Sequence, residues 1–180
     1  MIVHLFEDQK FVDTTIDNFE NESYGLNKYI VFSNNQELKY ISRKEKVLIL
    51  SNSSYKLELD FIYNDCQLLI IHFLSPIKLY VLKNKPAHVK VLWSIWGSDA
   101  YDYFENQYFF EPLTNNIRRR SLVKYFRFTY LYVLYHLARY RVKPLRNELN
   151  TLKLVDYVAT VLPYEFNYIK KEFSLTAKYI

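Results

Sequence analysis

Gln67-Leu68-Leu69-Ile70-Ile71-His72-Phe73, followed by Leu74-Ser75-Pro76-Ile77-Lys78-Leu79-Tyr80-Val81-Leu82 and then Val89-Lys90-Val91-Leu92-Trp93-Ser94-Ile95, is the stretch that decides the fold. The first run is short and continuously apolar, the pattern of a strand buried on both faces. Ser75-Pro76 reads as an N-cap and first helical residue, because proline lacks the N–H that a helix start leaves unused. The helix runs through Leu79, Tyr80 and Leu82. Val89–Ile95 then reads as a second strand. A strand, a covering helix and another doubly buried strand make a parallel β-α-β unit.

The same alternation extends outward in both directions. Ile2–Phe6 reads as a strand and Gln9–Glu20 as a helix, with Phe11, Val12, Ile16 and Phe19 at helical spacing. Tyr29–Ser33 and Val47–Leu50 are further strands, and Ser51-Asn52-Ser53-Ser54 offers N-caps for a helix through Leu57, Phe61 and Ile62. After Ile95, Ser98 or Asp99 caps a short helix, and a long helix falls within Asn116–Tyr140. Leu154–Thr160 is a last strand, and Pro163 opens a last helix toward Phe173. The expected fold is α/β and Rossmann-like: a mostly parallel sheet with helices on both faces, one domain over residues 1–180. Right-handed crossovers bring all strand C-terminal ends to one rim, where ligands bind. The residues placed there are Glu7 and Asp8; Ser33 to Asn35; Ser51 to Ser54; His72 and Ser75; Trp96 to Asp99; and Thr160.

Composition narrows the chemistry. A chain of 180 residues, half of them apolar and 24% charged, can build a core and is not disordered. Its 2 glycines exclude both the dinucleotide fingerprint and the phosphate-binding P-loop. The single Cys66 excludes an intrachain disulfide and a cysteine zinc site, points to a reducing compartment, and no metal site is expected. The amino terminus meets Glu7 and Asp8 too soon for a secretory signal. The most apolar long segment, Phe126–Val142, is interrupted by Arg127, His136, Arg139 and Arg141 and does not suit a membrane span. Net charge is +5. The excess lies between Arg118 and Lys153, where Arg118, Arg119, Arg120, Lys124 and Arg127 begin a basic run opposed only by Glu148. Such a run suits phosphate, acidic lipid or nucleic acid, or serves as a solvated helix face.

Among the rim residues, His72 can hold a hydroxyl or phosphate or take a proton; the plainer alternative is a histidine bonded to a neighbouring loop. His4 lies inside the first strand, where a backbone-bonded core histidine is commoner than a ligand. Glu7 and Asp8 are candidate bases or simply the acidic start of a helix. In Trp93-Ser94-Ile95-Trp96-Gly97-Ser98-Asp99, Gly97 suggests positive φ or close approach of a ligand. Asp99 can cap a helix or bind a sugar hydroxyl, and a tryptophan face can carry a sugar ring. The Tyr, Phe and Arg mixture of Lys124–Arg141 fits a helix in a lipid headgroup layer as well as a buried one. Aromatic and basic residues also suit single-stranded nucleic acid, but no RNP-type or helix-turn-helix signature is present, and nucleic acid is not the expected partner.

Trp93-Ser94-Ile95-Trp96-Gly97-Ser98-Asp99-Ala100-Tyr101-Asp102 resembles the Trp-His-Ile-Trp-Gly-Ala-Asp-Leu-Tyr-Glu pattern of the bacterial 4-α-L-fucosyltransferase-like glycosyltransferases. His72-Phe73-Leu74-Ser75-Pro76 is similar to that family's His-Gly-Gln-Phe-Asn-Pro segment, shortened by one residue. Ile2-Val3-His4-Leu5-Phe6-Glu7-Asp8 resembles its Ile-His-Val-Leu-Gly-Ser-Asp opening, and Val155–Thr160 the strand that ends its first domain. Two departures stand out: Ser94 replaces a histidine between the tryptophans, and Phe6 replaces a glycine.

The resemblance implies a GT-B architecture of two Rossmann-like domains, of which this chain covers the N-terminal, acceptor-binding one. A missing C-terminal domain would hold most of a nucleotide-sugar donor, TDP-linked in this family, and no other cofactor is implied. The implied acceptor is a lipid-pyrophosphate-linked glycan used for cell-surface polysaccharide, which places the protein in the cytoplasm, peripheral at the inner face of an anionic plasma membrane. His4, Asp8, His72, Trp96, Gly97 and Asp99 match motif positions. Asp8, His72 or Asp99 would serve as base, with His4, Ser75, Trp96, Gly97 and Ser98 binding acceptor. Arg118, Arg119, Arg120 and Arg127 would meet membrane or phosphate. The alternative is a stand-alone Rossmann-like module binding nucleotide or nucleic acid without catalysis.

Overall fold

Val3, Leu5, Ile30, Leu69, Ile71, Val91, Trp93 and Val158 are fully buried on one face of a parallel sheet. The computed structural model describes residues 1–35, 37–51, 54–96, 149–160 and 162–180. Within them the chain runs β1 (Ile2–Glu7), α1 (Val12–Ser23), β2 (Asn27–Phe32), a 3-10 turn (Lys44–Lys46), β3 (Val47–Leu50), α2 (Leu59–Tyr63), β4 (Leu68–His72), α3 (Pro76–Lys83) and β5 (Lys90–Ser94). A 3-10 segment (Leu149–Leu154), β6 (Tyr157–Ala159), α4 (Pro163–Glu172) and β7 (Lys178–Tyr179) follow. The described sheet is seven-stranded and every pair in it is parallel, in the order β3-β2-β1-β4-β5-β6-β7. This is the α/β Rossmann-like arrangement, with the strand order reversing between β1 and β4.

Alternation along the strands sends successive side chains to opposite faces, and each face has its own cover. Ile62 and Tyr63 of α2, Leu79, Val81 and Leu82 of α3, Leu152, and Phe166 and Ile169 of α4 pack with the first face. Trp93 is completely buried there and meets Phe173 with ring centroids 6.0 Å apart. On the other face Phe6, Tyr29 and Val31 pack against Val12 and Ile16 of α1 and against Leu38 and Ile41 of the β2–β3 connection. Burying a side chain of this size contributes about 1.5–3 kcal/mol, so the two faces together hold the sheet between its helices.

Several element boundaries differ from expectation for local reasons. The first helix begins at Val12, because residues 9–12 form a turn closed by Val12 N–H to the Gln9 carbonyl. β2 begins earlier than its apolar run, since Asn27 and Lys28 are paired to Ile2 and Val3. The serines after β3 do not cap a long helix: turns closed by Ser54 N–H to Ser51 O and Leu57 N–H to Ser54 O precede the short α2. The helices expected within residues 97–148 lie outside the described residues.

Candidate functional site

β1 and β4 lie side by side with His4 level with Ile70, and His72 is two residues further along β4. The pleat puts His4 and Phe6 of β1 on the same face as Ile70 and His72 of β4. His4 is completely buried and His72 is 2% exposed. His4 Nδ1 lies 3.1 Å from His72 Nε2, and His4 Nε2 lies 3.1 Å from Asn27 Oδ1. Around them pack Phe6, its ring stacked on His72 at 4.2 Å, and Phe19, edge-on to His4 at 4.4 Å. Burial therefore pulls the His4 pKa from 6.5 down to about 4, against the opposing hydrogen bond to Asn27 and the negative charge of Glu20. Burial holds His72 well below its ordinary value, helped by the charge His4 would carry when protonated and by the positive charge of Lys78. Both rings are neutral at physiological pH.

The end of β4 is built in an unusual way. Phe73 follows His72 with φ +58, a left-handed conformation that costs a non-glycine residue energy and turns the chain sharply into α3. Lys78, itself fully buried on α3, donates from Nζ to the carbonyls of His72 (2.6 Å) and Phe73 (2.7 Å), clamping that turn. Ser75 occupies the N-cap position of α3 with extended backbone, and Pro76 is the first helical residue, as the sequence implies. Yet the Ser75 hydroxyl does not cap the helix. Its Oγ is buried and without a partner.

Among the described residues, the buried side-chain polar atoms with no hydrogen-bond partner are Gln9 Oε1, His72 Nδ1 and Ser75 Oγ. They lie at or just past the C-terminal ends of β1 and β4, the two strands that flank the reversal in strand order. Leaving such an atom unpaired costs about 1–3 kcal/mol, so folded chains seldom gather them without a group to satisfy them. Trp96, partly buried at the end of β5, closes over this point: its ring lies 5.7 Å from His72, 6.3 Å from Phe6 and 5.9 Å, edge-on, from the exposed Phe11. Ser94 pairs with His72 across β4 and β5. Phe6, where the resembling family has glycine, supplies the ring on which His72 stacks.

The structure thus gathers His4, His72 and Trp96, and Ser75 follows His72 in the turn into α3. Asp8 sits at the same rim with both carboxylate oxygens engaged: Oδ2 accepts the Lys39 N–H at 2.5 Å and Oδ1 the Tyr40 N–H at 2.9 Å. Ser33 and Thr160 likewise serve their own loops, through Asn35 and the Leu162 carbonyl. Gly97, Ser98, Asp99, Arg118, Arg119, Arg120 and Arg127 lie outside the described residues. Gln9 was not singled out by the sequence, where it reads as the start of a helix. Its position just past β1, on the ligand-binding rim, is the signal that finds it. Among the described residues no group of three or more His, Cys, Asp or Glu side chains is placed to hold a metal. No protein-family model, no curated protein and no solved structure matches this chain.

Proposed function

We propose that this chain is the acceptor-binding domain of a GT-B glycosyltransferase that transfers a fucosamine-like sugar from a nucleotide-sugar to a lipid-linked glycan. The observation that carries this reading is the set of unpartnered polar atoms of Gln9, His72 and Ser75 at the ends of β1 and β4, with the Trp96 ring packed on His72. A sugar fits both features, since its apolar face can lie on an indole while its hydroxyls pair with buried polar atoms. The resemblance around Trp93–Asp102 and His72–Pro76 supports the same class, and in the Rossmann-like strand order His72, Ser75 and Trp96 follow or end strands at the rim where such folds bind ligands.

In the proposed reaction, the acceptor hydroxyl attacks the anomeric carbon of the donor. Its oxygen forms the new glycosidic bond, the bond to the nucleoside diphosphate breaks with its electron pair, and the hydroxyl proton passes to a base. Asp8 is engaged in the loop and burial disfavours a proton on His72, so Asp99 is the remaining candidate for that base. A second domain would bind the donor and stabilise the departing diphosphate.

A peripheral place on an anionic membrane belongs to the same proposal. No helix among the described residues is long and apolar enough to cross a membrane. On the loops after β1 and β3, Phe11 and Leu57 are 67% and 87% exposed beside Lys10 and Lys56, a pairing that suits a headgroup layer. Ligand-observed NMR on this chain, with nucleotide-sugars and a water-soluble sugar-pyrophosphate analogue of the acceptor, tests the reading. Binding of the acceptor analogue without the nucleotide is expected; tight nucleotide binding by the chain alone would overturn it in favour of a self-contained nucleotide module.

A further inference from the structure

The hydrogen-bond chain behind His72 fixes which of its nitrogens carries the proton. Asn27 Nδ2 lies 2.7 Å from the Ser23 carbonyl and 3.2 Å from the Phe19 carbonyl, which only accept, so this end of the side chain is the NH2 group. Asn27 Oδ1 therefore faces His4, and His4 Nε2–H must donate to it. In a neutral ring that leaves His4 Nδ1 as an acceptor, and its partner His72 Nε2 must donate. His72 Nδ1 is then a bare lone pair, and it is the atom with no partner.

From this geometry we infer that His72 is a dedicated hydrogen-bond acceptor, locked by Asn27 through His4, and that the group it takes is a neutral donor, a sugar hydroxyl, rather than a phosphate. Phosphate oxygens present lone pairs and would meet the lone pair of His72 head-on; a hydroxyl turns its O–H toward it. Ser75, the next unpartnered group past His72, can either donate or accept and is compatible with the same kind of ligand. The inference rests on the acceptor-binding reading and makes it specific: the glycan's hydroxyls lie at the β1–β4 junction and its pyrophosphate lies elsewhere. His4 acts only through His72 and is a positioning residue.

Long-range proton–nitrogen NMR of the 15N-labelled chain reads the imidazoles directly. At pH 7 both rings should show the Nε2–H form, and the His72 Nδ1 signal should move upfield on adding a methyl N-acetylhexosaminide but not with inorganic pyrophosphate. His4→Phe places a ring among Phe6, Phe19 and Tyr29, where the imidazole already sits. It should release His72 into a mixture of both forms and weaken sugar binding about 10-fold, the worth of one well-made hydrogen bond, with the backbone spectrum preserved. Nδ1–H on His72 in the unaltered chain would overturn the inference even if the acceptor analogue still binds. So would a His72 signal moved by pyrophosphate, or one unmoved while the sugar saturates. Tight nucleotide binding, by contrast, would sink the glycosyltransferase reading and leave the measured proton positions standing.

Discussion

Asp8 and Asp13 reach across to the β2–β3 connection and have their carboxylates fully engaged. Asp8 takes the amides of Lys39 and Tyr40, and Asp13 takes the amides of Ser42 and Arg43 and the Ser42 hydroxyl. Gln9, His72 and Ser75, at the ends of β1 and β4, keep buried polar atoms with nothing to bond. Both regions lie on one rim of one sheet, and both are polar. On the proposed reading, the difference separates polar groups that hold the fold from polar groups that would meet a ligand. In the first region removal should cost stability and spare binding; in the second it should spare stability and cost binding.

The largest effect that tests this division is an acid one. A histidine whose folded pKa is depressed gives stability that is fully present above its unfolded pKa and is lost as pH falls toward the folded value. For His4 that window runs from 6.5 down to about 4 and is worth about 3 kcal/mol, at roughly 1.4 kcal/mol per pKa unit. His72 shifts in the same direction and adds to it. Asp13 belongs to a different window. Partial burial raises its pKa, but the hydrogen bonds from Ser42 and Arg43 outweigh that and hold it below 3.8, so its contribution is lost only in stronger acid. Urea unfolding at pH 7 and pH 4 should therefore show the loss, and His4→Phe should make it smaller. An unchanged midpoint would mean that the two rings are not buried as a neutral pair.

Next in size is the loop clamp. Asp13→Ala should cost about 2 kcal/mol in urea unfolding, from the loss of several hydrogen bonds to one carboxylate, and should leave the affinity for the acceptor analogue unchanged. A parallel loss of affinity would show that the β2–β3 connection is part of the site, and the contrast between the two regions would fail. His72→Phe is the counterpart. It removes the unpaired Nδ1 but also the Nε2–H that His4 Nδ1 accepts, so the two changes partly offset and stability should fall by about 1 kcal/mol, less than for Asp13→Ala, while sugar binding disappears from the NMR titration.

The sequence makes the strands legible and leaves the division between these regions obscure. The Leu68–Ile71 run announces itself, because a parallel strand covered on both faces has to be continuously apolar; Val47–Leu50 shows the same pattern although it lies at the sheet edge with Leu48 and Ile49 exposed. Ser75-Pro76 marks the start of α3 for a stereochemical reason that holds without any tertiary contact. The partners of His4 are another matter. Asn27 is 23 residues away and His72 is 68, and only the pairing of β1 with β2 and β4 brings them together. Asp8, read as a candidate base, looks the same in sequence whether its oxygens are free or held by loop amides. Gln9 looks like an ordinary first-turn residue until the chain between Gln9 and Val12 closes as a turn.

The smallest stability effect makes the sharpest test. Replacing an N-cap serine by alanine ordinarily costs about 1 kcal/mol, because the hydroxyl satisfies a first-turn amide. Ser75 stands at the N-cap of α3 but makes no such bond, and its Oγ is buried without a partner. Ser75→Ala should therefore leave the urea midpoint nearly unmoved, within about 0.5 kcal/mol, or raise it slightly by removing an unsatisfied group. Affinity for the sugar-pyrophosphate analogue should fall several-fold at the same time. The ordinary N-cap loss with unchanged affinity would return Ser75 to the structural set beside Asp13. A flat stability with weakened binding would place a residue that sequence reads as a helix cap among those that face the ligand.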